Sequence, residues 1–386
     1  MDAKAGVRER FEREREGLIA LSHRIHAHPE VGFEEERAAG WLCETLDGAG
    51  FTVERGVAGL PTAFTARAGS GPLHVAVCAE YDCLPGIGHA CGHNMIAAMA
   101  VGAGIAAARV ADDVGLTVSV VGAPAEEFGG GKILLLERGV FAGMHAAVMA
   151  HPAPVDVAEH PFLAWDRFDV HYTGKEAHAS AFPEQGINAA DALTIAQAAI
   201  GLLRQHIRPS DRIHGIITRG GDAANVVPAH TAATYIVRAR STGELDDLSG
   251  KVRRCFEAGA LATGSTLAIV PTGPRYAEMH HDPELARLYR RNAETLGRVF
   301  PDLGGLLERT AGSTDMGNVS LALPAIHPMV GIASLPALNH QPEFAAHCVT
   351  PVADQALADG ALALAWTVVD AASTPALVAR LTRRSA

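Results

Sequence analysis

The sequence predicts an α/β protein in which a small ferredoxin-like α+β domain interrupts a larger domain. Three observations carry that expectation. The chain has 386 residues, beyond the usual size of one domain. Up to about residue 165, short apolar strands alternate with helices, the pattern of an α/β sheet. From 162 to 271 the order becomes β-α-β-β-α-β with half-solvated strands, that of a ferredoxin-like layer. The α/β pattern resumes near 283, so the expected organisation is 1–165 with 283–386, and 166–282 inserted.

Each element has its own reason. LHVAVCAE (73–80) is a short apolar run ending in acid, and HNMIAAMAVGAGIAAARV (93–110) is a helix of small residues suited to burial. LTVSVVGAPAEE (116–127) reads as a β-branched strand ending in two carboxylates, and GKILLLERGV (131–140) as a helix. AAVMAHP (146–152) reads as a strand that stops at a histidine. In the insertion, FLAWDRFDVHYTG (162–174) alternates in polarity and INAADALTIAQAAIGLLRQHI (187–207) is amphipathic. Strands at 212–221 and 231–241, a helix near 244–263 and a strand near 266–271 complete it. A helix at 283–298, a strand at 325–330 and a helix at 351–370 close the chain.

Composition excludes several classes of function. The chain is 48 % hydrophobic and 19 % charged, with ample material for a core. Its formal net charge of −11 opposes an electrostatic grip on nucleic acid or anionic lipid. The N-terminal stretch is charged and lacks the apolar core of a secretory signal, and no run of 18 apolar residues occurs. A cytoplasmic protein with no nucleic-acid or membrane partner is therefore expected. Six cysteines in so long a chain do not suggest a disulfide framework, and Cys43, Cys78, Cys83, Cys255 and Cys348 read as small buried hydrophobes.

Cys91 differs because of its neighbours. In GIGHACGHNMI (86–96) it precedes His93, and other coordinating groups follow later strands: Glu126 and Glu127, then His151. His340 lies downstream in LNHQPEF. Thiolate, imidazole and carboxylate are the usual zinc donors, and the set outnumbers the needs of one tetrahedral ion. Taken singly, a histidine after a strand is more often a satisfied surface or core residue than a ligand, and Cys-x-His pairs arise by chance. Their placement on successive α/β strand ends, where such sheets gather ligands, is what makes them a set.

The motifs then resemble those of the metallopeptidase family that includes aminoacylases, glutamate carboxypeptidases and related amidohydrolases. Within it they are most similar to a cysteine-ligand branch of N-acyl amino acid and aminobenzoyl-glutamate hydrolases. The likeness runs through IHAHPEVGFEEERAAGWL (25–42), AEYDCLPGIGHACGHN (79–94), PAEEFGGGK (124–132) and MAHP (149–152). It continues through GKEAHAS (174–180), ANVVPAH (224–230), GSTDMGNVS (312–320) and NHQPEF (339–344). The resemblance implies a zinc-peptidase-like catalytic domain with a mixed sheet and an inserted lid and dimerisation domain, forming a homodimer. It implies two divalent ions, zinc first, with manganese, cobalt or nickel as alternatives. Their ligands would be Cys91, His93, Glu127, His151 and His340, with Cys91 as the bridge. It implies Glu126 as acid/base, and His178 as an oxyanion donor toward a neighbouring protomer.

Asn225 and Arg238 resemble positions that bind the substrate, with Arg suited to a carboxylate. Arg240 competes, because alternation would put it on the same sheet face as Arg238. Asp82 is expected to orient a ligand, and Asp315 either to do likewise or to cap a helix. Glu80 stands where other members of the family carry a metal-binding histidine, and Asn94 where many carry Asp. The implied activity is hydrolysis of the amide of an N-acyl or N-aryl-acyl amino acid or small dipeptide. The alternatives are deamination of an aromatic amine and silent binding of an N-acyl amino acid.

Overall fold

A computed structural model describes residues 3–383. In chain order its strands are β1 (Thr52–Arg55), β2 (Phe64–Ala68), β3 (Leu73–Glu80), β4 (Leu116–Ala123), β5 (Ala146–Val148) and β6 (His151–Ala153). Then come β7 (Ala164–Thr173), β8 (Arg212–Arg219), β9 (His230–Ala239), β10 (Thr266–Pro271), β11 (Ala325–Ile326) and β12 (Met329–Gly331). The chain divides into two compact units: Phe162–Glu278, and the residues before and after it.

The larger unit holds a six-stranded mixed sheet in the order β1-β2-β4-β3-β5-β11. β4, β3, β5 and β11 run parallel, and β1 and β2 add antiparallel strands at one edge. Every residue of β4 is buried, as expected for a strand covered on both faces. The helix His93–Ala108 is buried along nearly its whole length, packing on β3 and β4 and against the helices Ala3–His26 and Pro351–Ala372. Its small residues permit that approach: a Cβ at Gly104 would meet Val120 Cγ2 at 2.4 Å. Pro351–Ala372 has the length and apolarity of a membrane span, but 83 % of that window is buried in the protein, so packing accounts for it.

Two predicted strands are each split. The stretch 146–152 is β5, which pairs with β3, followed by β6, which His151 opens and which pairs with β12. The stretch 325–330 is likewise divided into β11 and β12. Pro328 falls in the second break, where a residue without an N–H cannot continue a ladder. The paired glutamates also lie beyond their strand, since β4 ends at Ala123 and Glu126–Glu127 occupy the turn that follows.

The smaller unit is an antiparallel sheet in the order β10-β7-β9-β8, backed by the helices Ala189–Leu203 and Thr242–Thr263. This is the ferredoxin-like β-α-β-β-α-β arrangement. Its own core centres on Phe168, Tyr172, Tyr235 and Phe256.

Candidate metal centre

The carboxyl ends of the parallel strands deliver the coordinating groups of the larger unit. Glu80 ends β3, Glu126 and Glu127 follow β4, and His151 follows β5. Cys91 and His93 flank Gly92, whose φ of +80° lies in the left-handed region. A Cβ there would meet Pro152 Cγ at 2.4 Å, so close approach and backbone sign both demand glycine between the two donors. His93 opens a long helix, placing the donors at its positive end.

Cys91 is shared between two donor groups. In one, coordinating atoms of Cys91, His93 and His151 lie within 4.8 Å of one another, and in the other those of Cys91, Glu127 and His340 do so. A third group joins Glu80, His93 and Glu126. Cys91 Sγ is 3.4 Å from His151 Nε2, and His340 Nε2 is 3.5 Å from Glu127 Oε2. His340, with φ of +68°, is exposed but tethered, its N–H donating to the Ala90 carbonyl at 2.8 Å.

The imidazoles are oriented by their other nitrogens. His93 Nδ1 bonds Asp82 Oδ1 at 2.8 Å, and His151 Nδ1 bonds the Pro152 carbonyl at 2.8 Å. A carbonyl only accepts, so His151 Nδ1 carries the proton and Nε2 presents a lone pair. Asp82 also accepts the Glu127 N–H through Oδ2, at 3.1 Å.

The donor set fits divalent cations. His93 Nε2, Glu127 Oε1 and Glu80 Oε2 are buried without a hydrogen bond, a costly state for polar atoms that are not coordinating an ion. Burial, with the charge of Glu127, pushes the Cys91 thiol well above its ordinary range. Burial, with Glu80, Asp315 and Glu127, does the same to Glu126. Burial lifts Glu127 to about 7, against the opposing effect of His93. The acidic groups crowded here outnumber His93 and Lys132, the cations beside them, and divalent ions would supply further positive charge.

Three buried residues complete the surroundings, and sequence reasoning missed one of them. Lys132 is fully buried, its ammonium 2.5 Å from Glu80 Oε1 and paired with Asp315 Oδ1. Burial disfavours that charge, but Asp315, Glu80 and Glu126 together hold the ammonium protonated. Asp315 does not cap the helix that follows it; its carboxylate instead accepts from Lys132 through both Nζ and the backbone N–H. The capping alternative is therefore set aside, because the buried ammonium takes the oxygen a cap would use. The available signal was the lysine of PAEEFGGGK, which lies inside a stretch that carries the family resemblance. His89 is buried, with its ring 6.1 Å from that of His26, outside all three donor groups.

The remaining candidates lie in the smaller unit. His178 is exposed and forms an isolated antiparallel bridge with Val226, beside Asn225, whose carbonyl accepts the Ala179 N–H. His178 Nδ1 accepts from the N–H groups of Ser180 and Ala181, both at 3.3 Å, so its Nε2 is left as the donor. Arg238 is half-buried, its guanidinium 5.1 Å from the centre of the Trp165 ring. Burial lowers the pKa of that guanidinium. Arg240 is exposed and lies just past the end of β9, which stops at Ala239, at a bend in the chain.

Residues 166–263 match the family model for a peptidase dimerisation domain. The chain is 38 % identical to an Xaa-Arg dipeptidase of Mus musculus over 390 residues, covering 97 % of this chain and 90 % of that protein. It is 33 % identical to one of the p-aminobenzoyl-glutamate hydrolase chains of Escherichia coli (strain K12), covering 68 % of this chain and 59 % of that one. Among solved structures, a Bacillus subtilis protein described as a dinuclear metal-binding peptidase of the M20 family superposes with a TM-score of 0.71. That match covers 94 % of this chain and 99 % of that chain at 22 % identity.

Proposed function

Because the chain belongs to the M20 peptidase family, and is thereby a metal-dependent hydrolase of amide bonds, we propose a dinuclear centre at Cys91, His93, Glu127, His151 and His340. The observation that carries this reading is the sharing of Cys91 Sγ between two donor groups, which a single ion would not need. Thiolate and imidazole donors favour zinc. Bound there, divalent cations supply Lewis acidity toward a carbonyl oxygen and a water.

The chain's own groups do the rest. Glu126 sits one residue from a ligand, its Oε2 3.9 Å from His93 Nε2, and takes the proton of the attacking water. It then delivers that proton to the departing amide nitrogen. His178, with Nε2–H as donor, stabilises negative charge on the carbonyl oxygen in the homodimer that the dimerisation domain would form. Arg238 and Asn225 hold the substrate, the guanidinium gripping its carboxylate.

For substrate we infer a dipeptide or N-acyl amino acid, with dipeptides ending in arginine first, on the strength of the near-complete match to an Xaa-Arg dipeptidase. The test is a screen of Xaa-Arg dipeptides, N-acyl amino acids and aminobenzoyl-glutamate against zinc-loaded protein, with amino-acid release as the readout. Ammonia without a released amino acid would instead establish deamination, and no turnover on any of these would overturn the hydrolase reading of this site. Glu126→Gln should keep both metals and lose turnover by about 10²–10⁴-fold.

A further inference from the structure

The turn that presents the two glutamates is held from both sides by buried carboxyl groups. On the far side Asp82 accepts the Glu127 N–H. On the near side Glu35, fully buried, accepts the Ala125 N–H through Oε1 at 2.8 Å. Its second oxygen accepts from Thr62 Oγ1 at 2.9 Å. Thr62 is fixed in turn, because its carbonyl accepts the Tyr81 hydroxyl at 2.7 Å.

Ala125 needs holding. Its φ is +54°, a left-handed conformation that costs a residue with a side chain about 1–2 kcal/mol. Its methyl is enclosed so tightly that a Cβ at Gly32 or Gly129 would lie 2.8 or 2.6 Å from it. A strained residue persists only where its surroundings over-determine it, and such strain clusters at functional sites. Glu126 follows directly, so the peptide gripped by Glu35 sets the direction in which its side chain leaves the backbone.

We propose that Glu35 is a positioning residue for the reaction, whose carboxyl group locks Ala125 in the left-handed conformation and so aims Glu126. The inference rests on Glu126 as the proton-handling group. The grip needs an acceptor oxygen toward Ala125 and a partner toward Thr62, and it does not need a charge. A glutamine supplies both, with Oε1 on the Ala125 N–H and its amide NH₂ on Thr62 Oγ1. A methionine of similar length supplies neither.

The experiment compares Glu35→Gln, Glu35→Met and Thr62→Val in the zinc-loaded full chain, measuring metal content, kcat and KM. Glu35→Met should lower kcat by about 10–100-fold, the scale of an ångström-sized misplacement, with KM within about threefold and metal retained. Glu35→Gln should stay within about threefold of the wild type. Thr62→Val, which keeps Glu35 but removes its support, should lower kcat by about 2–5-fold and decides the matter should Glu35→Met not fold. In a Glu126→Gln background Glu35→Met should cost no further activity, an outcome general damage to the fold would not give. Wild-type kcat in Glu35→Met or Thr62→Val, equal losses in Glu35→Gln and Glu35→Met, or additive losses with Glu126→Gln would each overturn the proposal. Failure of the underlying reading is distinguishable, since Glu126→Gln alone would then turn over normally.

Discussion

His93 and Glu127 share one carboxylate: Asp82 Oδ1 lies 2.8 Å from His93 Nδ1, while Asp82 Oδ2 accepts the Glu127 N–H at 3.1 Å. One buried side chain thus fixes the imidazole of one candidate ligand and the backbone of another. Burial alone would raise its pKa, but His93 and the Glu127 N–H outweigh that and hold it lowered. Outer partners of this kind typically affect metal affinity by about 10–100-fold. Asp82→Ala should therefore weaken zinc binding by that factor in chelator competition, with the secondary structure intact by circular dichroism. Unchanged affinity would show that neither donor depends on Asp82.

Lys132 carries a different risk. Its ammonium sits between Glu80 and Asp315 with all three side chains buried. Removing one member of such a network leaves charge without compensation and typically costs about 3–5 kcal/mol. Lys132→Met should lose that much stability in a denaturant titration. The triple variant Lys132→Met, Glu80→Gln, Asp315→Asn should recover part of it. A Lys132→Met protein as stable as the wild type would mean that the carboxyl groups are already neutral.

What could be read from the sequence follows from how far apart the interacting residues lie. Cys91, His93, Glu127 and His151 could be picked out as candidates because each lies shortly after a strand or at or just before the start of a helix, where local pattern locates it. Asp315 was ambiguous because Lys132, which decides its role, is 183 residues away. Glu35 was hidden for the same reason, since its partner Ala125 is 90 residues distant and nothing local marks an alanine with positive φ. The splits at 149–150 and 327–328 escaped notice because the apolar pattern continues across them, while the choice of partner strand is a tertiary event.

Metal affinity should depend steeply on pH. A thiolate, a neutral imidazole and a carboxylate are needed for binding, yet without metal the Cys91 thiol is raised well above its usual range by burial and Glu127. Against the effect of burial, Asp82 and Cys91 hold His93 protonated well above 6.5. Glu127 titrates near 7. His151, lowered to about 4 by burial, is already neutral. Binding near neutrality therefore releases protons, and affinity should rise at least about tenfold per pH unit between pH 6 and 8. Competition titrations at three pH values check this, and a flat profile would contradict the protonation states assigned to the donors.

Glu35 makes a pH prediction of opposite sign. Burial, with the nearby charge of Asp82, raises its carboxyl from 4.5 to about 7. Between those values the unfolded chain has lost the proton that the folded chain keeps, so folding binds a proton and stability falls as pH rises. Below 4.5 both states are protonated and the penalty vanishes; above 7 both are ionised and it is complete. The full effect is roughly 3 kcal/mol at about 1.4 kcal/mol per pKa unit. Glu35→Gln cannot ionise, so it should match the wild type in Tm near pH 4.5 and exceed it by several degrees at pH 8. Both proteins are to be compared in the same metal state. A Tm difference that does not change across this range would place the Glu35 pKa near its ordinary value, leaving its hold on Ala125 to a carboxylate and not to a neutral acid.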